Sequence, residues 1–211
     1  MLLQGHAGVV DTAAFSPDGA RIVTSSRDAT AKIWDAKSGN QLLTLTGHDG
    51  PVYSASFSSD GKRILTASQD RTARIWDATT GALLVTLSGH EDAVWWAAFS
   101  PDGTRVITAS QDRTARIWDA ASGREIAILR GHDNWVVHAA FSPDGLRAVT
   151  ASRDKTARVW NGHPPVVGVP DLVTQACQRL LGPLSTLTRD DMELAGYPDN
   201  APLIDICKGA N

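Results

Sequence analysis

Short apolar runs alternate with polar turn clusters along the first three quarters of the chain. Val52 to Phe57 mixes β-branched, aromatic and small residues and ends at Ser58-Ser59-Asp60-Gly61. The run predicts a strand, and the cluster a hairpin turn with glycine where positive φ is wanted. Arg63 to Ser68 predicts a second strand, Gln69-Asp70-Arg71 a tight turn, Thr72 to Asp77 a third strand and Thr79-Thr80-Gly81 another turn. Leu83 to Leu87 predicts a fourth strand, which leads into Gly89-His90. This order of runs recurs with a step of 42 residues, marked by Gly5-His6, Gly47-His48, Gly89-His90 and Gly131-His132. An Asp follows each His by 22 residues (Asp28, Asp70, Asp112, Asp154), and a Trp follows each Asp by six (Trp34, Trp76, Trp118, Trp160). A repeat of this length is one supersecondary unit, here a four-stranded antiparallel sheet.

One sheet cannot bury both of its faces alone. Phe15, Phe57, Phe99 and Phe141 share one register position, and Ile33, Ile75, Ile117 and Val159 another. Both sets are expected to pack between neighbouring sheets.

The markers resemble the WD-repeat family of β-propellers. Its pattern is Gly-His, a hydrophobic strand, a Ser-Pro-Asp-Gly type of turn, an Asp in a tight turn, then Trp-Asp. Repeat two reads GHDGPVYSASFSSDGKRILTASQDRTARIWD. The resemblance covers about residues 1–161, with repeats at about 5–46, 47–88, 89–130 and 131–161. Asn161 departs from it, standing where the other repeats have Asp35, Asp77 and Asp119. The implied fold is all-β, with four four-stranded antiparallel blades. They form a partial or open ring, because propellers of this family generally have six to eight blades.

In the family, His, a strand-two Ser or Thr, Asp and Trp form a buried hydrogen-bond network within each blade. Carried over, these are His6, Thr24, Asp28 and Trp34; His48, Thr66, Asp70 and Trp76; His90, Thr108, Asp112 and Trp118; and His132, Thr150, Asp154 and Trp160. Ser26, Ser68, Ser110 and Ser152 are close alternatives for the hydroxyl. The chemistry suits a relay, since Trp only donates, Asp only accepts, and His and Thr do both. A His near a carboxylate also suits a catalytic dyad or metal pair. Fourfold recurrence at identical spacing argues for the structural reading.

A scaffold repeats, whereas a binding surface varies. The family implies a rim with three variable positions per blade. Just before the Asp stand Arg27, Gln69, Gln111 and Arg153; four residues before the Phe stand Asp11, Tyr53, Trp95 and Val137; two residues earlier stand Val9, Pro51, Ala93 and Trp135. Aromatics and arginines are the types enriched at interface hot spots. Tyr53 and Trp135 are expected at the surface. For Trp95 and Trp96, surface and packing between blades or in the channel both stand.

Composition narrows this little. The net charge of −3 gives no basic field to attract nucleic acid. No apolar run approaches a membrane span, and Met1 to Gln4 is too short for a signal peptide. Cys177 and Cys207 lie outside the repeats, so a reduced, cytoplasmic protein is the expectation. No phosphate-cradling loop, metal-ligand spacing or nucleophile elbow occurs, and no cofactor is expected. Asp18, Asp60, Asp102 and Asp144, each before a Gly, read as hairpin turns rather than calcium loops, because no later Glu completes a coordination shell.

The ends carry their own signals. Leu2-Leu3-Gln4-Gly5-His6 reads as the end of a fourth strand, like Leu43 to His48, and unpaired strand edges predict self-association. Three explanations compete: the C-terminal part of a longer protein, two copies completing one ring, or a stand-alone open array. The first is favoured. Pro164-Pro165 and Pro170 mark a linker over 162–170, and residues 171–211 predict a short helical tail, with Asp171 capping a helix to about Leu181. The stretch ACQRLLGPLSTLTRDD loosely resembles tails that follow propellers in large bacterial signalling proteins. The expected function is therefore a non-catalytic scaffold or sensor that binds protein or peptide. The alternative is an accessory segment or remnant of an enzyme whose catalytic domain lies upstream.

Overall fold

The computed structural model describes residues 1–161. The expected linker and helical tail lie outside the described residues. Four antiparallel sheets follow one another, each strand pairing with the next in sequence. The first holds β1 (Val10–Phe15), β2 (Arg21–Ser26), β3 (Ala31–Asp35) and β4 (Gln41–Leu45). The second holds β5 (Val52–Phe57), β6 (Arg63–Ser68), β7 (Thr72–Asp77) and β8 (Leu83–Ser88). The third holds β9 (Val94–Phe99), β10 (Arg105–Ser110), β11 (Ala115–Asp119) and β12 (Glu125–Leu129). The fourth holds β13 (Val136–Phe141), β14 (Arg147–Ser152) and β15 (Ala157–Asn161). It thus departs from the expected four strands. After Asn161 the sequence turns to Gly-His-Pro-Pro in place of an apolar run, and residues from 162 lie outside the described set.

Turn chemistry fixes the strand ends. Ser58 Oγ donates to Asp60 Oδ1 (2.6 Å) and accepts the Arg63 amide (3.0 Å), so the turn satisfies its own polar groups. Gly61 sits at φ 68° there, a conformation a side chain resists. The same Ser-Asp pair closes the turns at Asp18, Asp102 and Asp144.

The core lies between sheets. Val23, Ala31, Ile33 and Leu45 of the first pack on Ala55, Ile64, Trp76 and Ala78 of the second. Leu65, Ile75 and Leu87 of the second meet Val94, Val106 and Trp118 of the third. Ile107 and Ile117 of the third meet Val136, Ala139 and Ala148 of the fourth. The second strands of the first three sheets are therefore buried on both faces, which explains why Arg-Ile-Leu-Thr-Ala-Ser in β6 does not alternate. Each fully buried Leu or Ile contributes about 1.5–3 kcal/mol.

Phe57, Phe99 and Phe141 pack into these junctions, and Ile33, Ile75 and Ile117 are buried. Phe15 and Val159 do not: they are 67% and 61% exposed. The expectation fails at these two positions because Phe15 faces where a preceding sheet would stand and Val159 where a following one would. Among the described residues, no helix is long and apolar enough to cross a membrane.

Candidate functional site

Each repeat places its His, Thr, Asp and Trp in one hydrogen-bonded chain. In the third, Trp118 Nε1 donates to Thr108 Oγ1 (2.8 Å), which lies 2.7 Å from His90 Nε2, and His90 Nδ1 lies 2.6 Å from Asp112 Oδ2. Donor capacity sets the direction: Trp to Thr, Thr to Nε2, and Nδ1–H to the carboxylate. The other three repeats differ by at most about 0.2 Å in these spacings. The His and Trp rings meet edge to face, with centroids 5.9–6.4 Å apart. The hydroxyl is the Thr. The alternative Ser residues work elsewhere: Ser68 Oγ donates to the Gly50 carbonyl and accepts the Asp70 amide.

Each Asp also accepts from the Thr two residues on, at 2.6 Å for Thr114, and from the amide after its His. Burial pushes the Asp112 carboxyl up, but hydrogen bonds from His90 and Thr114 outweigh it and hold it well below the usual carboxylate range. Asp28 and Asp70 follow the same balance; at Asp154 the Thr156 hydrogen bond is the leading cause. In the third repeat the Trp, Thr, His and Asp side chains are all hydrogen-bonded to one another or to their neighbours, which suits a brace.

The variable positions converge. The pairing of first and second strands slips by one residue at Asp11, Tyr53, Trp95 and Val137, so each is the extra residue of a β-bulge. Bulges re-aim side chains. Beside each bulge the residue before the Asp donates its amide to the third variable position: Arg27 to Val9, Gln69 to Pro51, Gln111 to Ala93 and Arg153 to Trp135, all at 2.9 Å. The backbone frame is thus constant and carries the changing side chains to one corner of each sheet.

There the side chains form a ladder across the sheets. Tyr53 stacks on Trp95 at 4.2 Å and 15°, Trp95 on Trp135 at 5.9 Å and 21°, and the Arg153 guanidinium lies 4.3 Å from the Trp135 ring centre. Near Tyr53, Arg27 forks onto the Asp11 carboxylate at 3.1–3.3 Å. Burial pushes the Tyr53 phenol up. Trp95 is half-buried with a neighbour on each face, so it is the middle rung rather than a free plate. Trp96 points elsewhere, packing into the third junction beside His138, with ring centres 4.4 Å apart.

Next to Trp135 lies a depression of about 510 Å³, lined by Glu91, Asp92, Gln111, Asp112, Arg113 and Trp135. Sequence reasoning missed Glu91, Asp92 and Arg113. A signal existed, since the residue after each Asp varies (Ala29, Arg71, Arg113, Lys155). All four sit at φ 67–72°, a turn conformation that swings the side chain outward.

A profile of the family described as WD domain, G-beta repeat, matches residues 1–35, 39–77, 81–119 and 123–161. The chain belongs to the WD40 repeat family. Among curated relatives, a 41-residue stretch is 49% identical to Periodic tryptophan protein 2 of Saccharomyces cerevisiae. That stretch is 19% of this chain and spans only 4% of the relative's length, about one repeat. The likeness therefore concerns the WD40 repeat itself.

Proposed function

We propose that this WD40 chain is a non-catalytic scaffold or sensor module of a larger bacterial signalling protein, and that it binds a protein or peptide partner across the bulge rim. The observation that carries this is the convergence of the variable positions on one corner, where they build the Tyr53–Trp95–Trp135–Arg153 ladder beside a depression. The four tetrads are internal braces in this reading and take no part in chemistry.

The ladder offers ring edges, the Arg153 guanidinium and the carboxylates of Glu91 and Asp92. It is pre-stacked, so little side-chain entropy is lost on binding. Selection from a displayed peptide library supplies ligands whose affinity is then measured for variants. Truncating a true anchor costs about 2 kcal/mol or more, roughly thirtyfold in Kd. Trp135→Ala with Arg153→Ala is expected to lose at least that. Lys37→Ala and Thr104→Ala, in exposed turns outside the rim, are expected to bind as the parent does. A rim variant that stays folded and keeps its affinity, while a turn variant loses it, places binding elsewhere.

A further inference from the structure

The depression beside Trp135 lies between two sheets that a side chain holds together. At each junction an Arg at the start of a second strand clasps the next sheet. Arg21 donates to the Gly61 carbonyl (2.8 Å), Arg63 to Gly103 (2.7 Å) and Arg105 to Gly145 (3.0 Å). The third clasp joins the sheets that flank the depression. Glu91 and Asp92 precede β9, Gln111 to Arg113 link β10 to β11, and Trp135 precedes β13.

The repeats supply their own control. One junction back, the places of Glu91, Asp92 and Trp135 are taken by Asp49, Gly50 and Ala93, and at the first junction by Ala7, Gly8 and Pro51. The backbone frame is the same at all three, so it does not require the residues that differ. The turn does not need the Asp92 charge either. Asp92 Oδ1 accepts the Ala93 amide at 2.7 Å, and Asn134 Oδ1 accepts the Trp135 amide at 2.8 Å. The Glu91 side chain is exposed and, among the described residues, makes no hydrogen bond or ion pair.

The carboxylates of Glu91, Asp92 and Asp112 and the guanidinium of Arg113 line the depression. Burial opposes the Asp112 charge, but the hydrogen bonds of its tetrad outweigh it. The same places one junction back hold Asp49 and Asp70 against Arg71, and at the first junction Asp28 against Arg27. The negative excess therefore grows along the repeats, and Trp135 closes the junction where it is largest. The Trp135 ring already carries one flat cation, the Arg153 guanidinium 4.3 Å from its centre, and Arg153 is not part of the lining.

We propose that this depression receives an arginine side chain of the partner, with its guanidinium against Trp135 and paired with the Glu91 and Asp92 carboxylates. The proposal rests on the reading of the rim as the binding face and names the chemistry that face selects. Arginine suits the place better than lysine. A planar guanidinium stacks on an indole, donates in a fork to a carboxylate and is less strongly hydrated than an ammonium.

The probe is a short capped peptide of alanine and serine with one central arginine, compared with its citrulline, lysine and glutamate counterparts. Binding to the full chain is followed through the indole N–H signals in NMR spectra, with Trp135→Phe locating the Trp135 signal. The arginine peptide should shift that signal saturably. Citrulline keeps the shape and loses the charge, and should weaken binding about tenfold or more, the value of a charge-assisted hydrogen bond. Lysine should bind more weakly than arginine. Glu91→Gln with Asp92→Asn should weaken the arginine peptide about tenfold or more and narrow the gap between arginine and citrulline. Glu91→Gln alone touches no internal hydrogen bond and should give part of that loss in a chain with the parent's urea midpoint. No saturable shift, equal binding of the citrulline peptide, or full affinity in the neutral variants overturns the arginine pocket. Preference for the glutamate peptide also overturns it and assigns the depression to an anion held by Arg113. Lysine bound as tightly as arginine overturns the stacked guanidinium. The rim is judged separately. Library-selected peptides that need Trp135 and Arg153 yet do not compete with the arginine peptide keep the rim and discard the pocket, whereas selected peptides indifferent to both residues discard the rim itself.

Discussion

The tetrad residues act as a unit. Removing Asp112 would leave the His90 Nδ1–H, the Thr114 hydroxyl and the Glu91 amide without their shared acceptor in a largely buried place. Breaking a buried charged network costs about 3–5 kcal/mol. Asp112→Ala and Asp70→Ala are expected to lose that much in chemical denaturation. A loss under about 1 kcal/mol, typical of an exposed ion pair, would show that these carboxylates are not braces. The residue that follows each Asp has the opposite character. Arg71 is exposed and held at φ 70°, where an L side chain is strained by about 1–2 kcal/mol while glycine gives up about 0.5–1 kcal/mol of chain entropy. Arg71→Gly is therefore expected to raise stability by about 0.5 kcal/mol or more, read from the same denaturation curves. A clear loss would mean that Arg71 makes contacts its exposure hides.

At the level of strands, most of the layout was legible in the sequence. The second repeat's strands begin and end within one residue of where its apolar runs and turn clusters put them, because Ser-Asp-Gly turns and β-branched runs are local signals. What stayed hidden is non-local. The bulges at Asp11, Tyr53, Trp95 and Val137 arise from pairing with a second strand, and no residue type announces them. The stacking order of the ladder and the Arg clasps likewise depend on which sheets adjoin. Arg63 opens a strand in the sequence pattern, but nothing local indicates that its guanidinium reaches Gly103 on the next sheet. That clasp can be tested by substitution. A Cβ at Gly103 would stand 2.8 Å from Arg63 Nη2, whereas one at Gly61 meets only ordinary contacts, and both glycines have φ 68°. Gly103→Ala is thus expected to cost more than Gly61→Ala in urea unfolding, the excess being the lost clasp. In an Arg63→Ala background the excess should vanish, because a coupled pair is non-additive. An excess that persists would mean that backbone crowding, not the clasp, sets the cost.

Across the whole arc, the repeat distributes one electrostatic device through every sheet. Asp18, Asp60, Asp102 and Asp144 in the hairpin turns, the four tetrad Asp residues, and Asp35, Asp77 and Asp119 all have carboxyl pKa values below the ordinary one. At Asp102 the Ser100 hydroxyl leads the causes and brings it down to about 2. Depressed folded-state values mean that the unfolded chain binds more protons once the pH falls below its own carboxylate range. The stabilisation is therefore complete above about pH 4 and is lost progressively as the pH drops through the lower folded values. The urea midpoint of the full chain is expected to fall continuously from about pH 4 to about pH 2. The leading lowering causes are hydrogen bonds from Ser, Thr and His side chains and backbone amides, not distant charges. Screening at about 1 M salt, where the Debye length is about 3 Å, should leave the slope largely in place. A midpoint unchanged down to about pH 2 would show that the turn and tetrad carboxylates add nothing to the folded state, and a slope abolished by salt would assign their effect to surface charge.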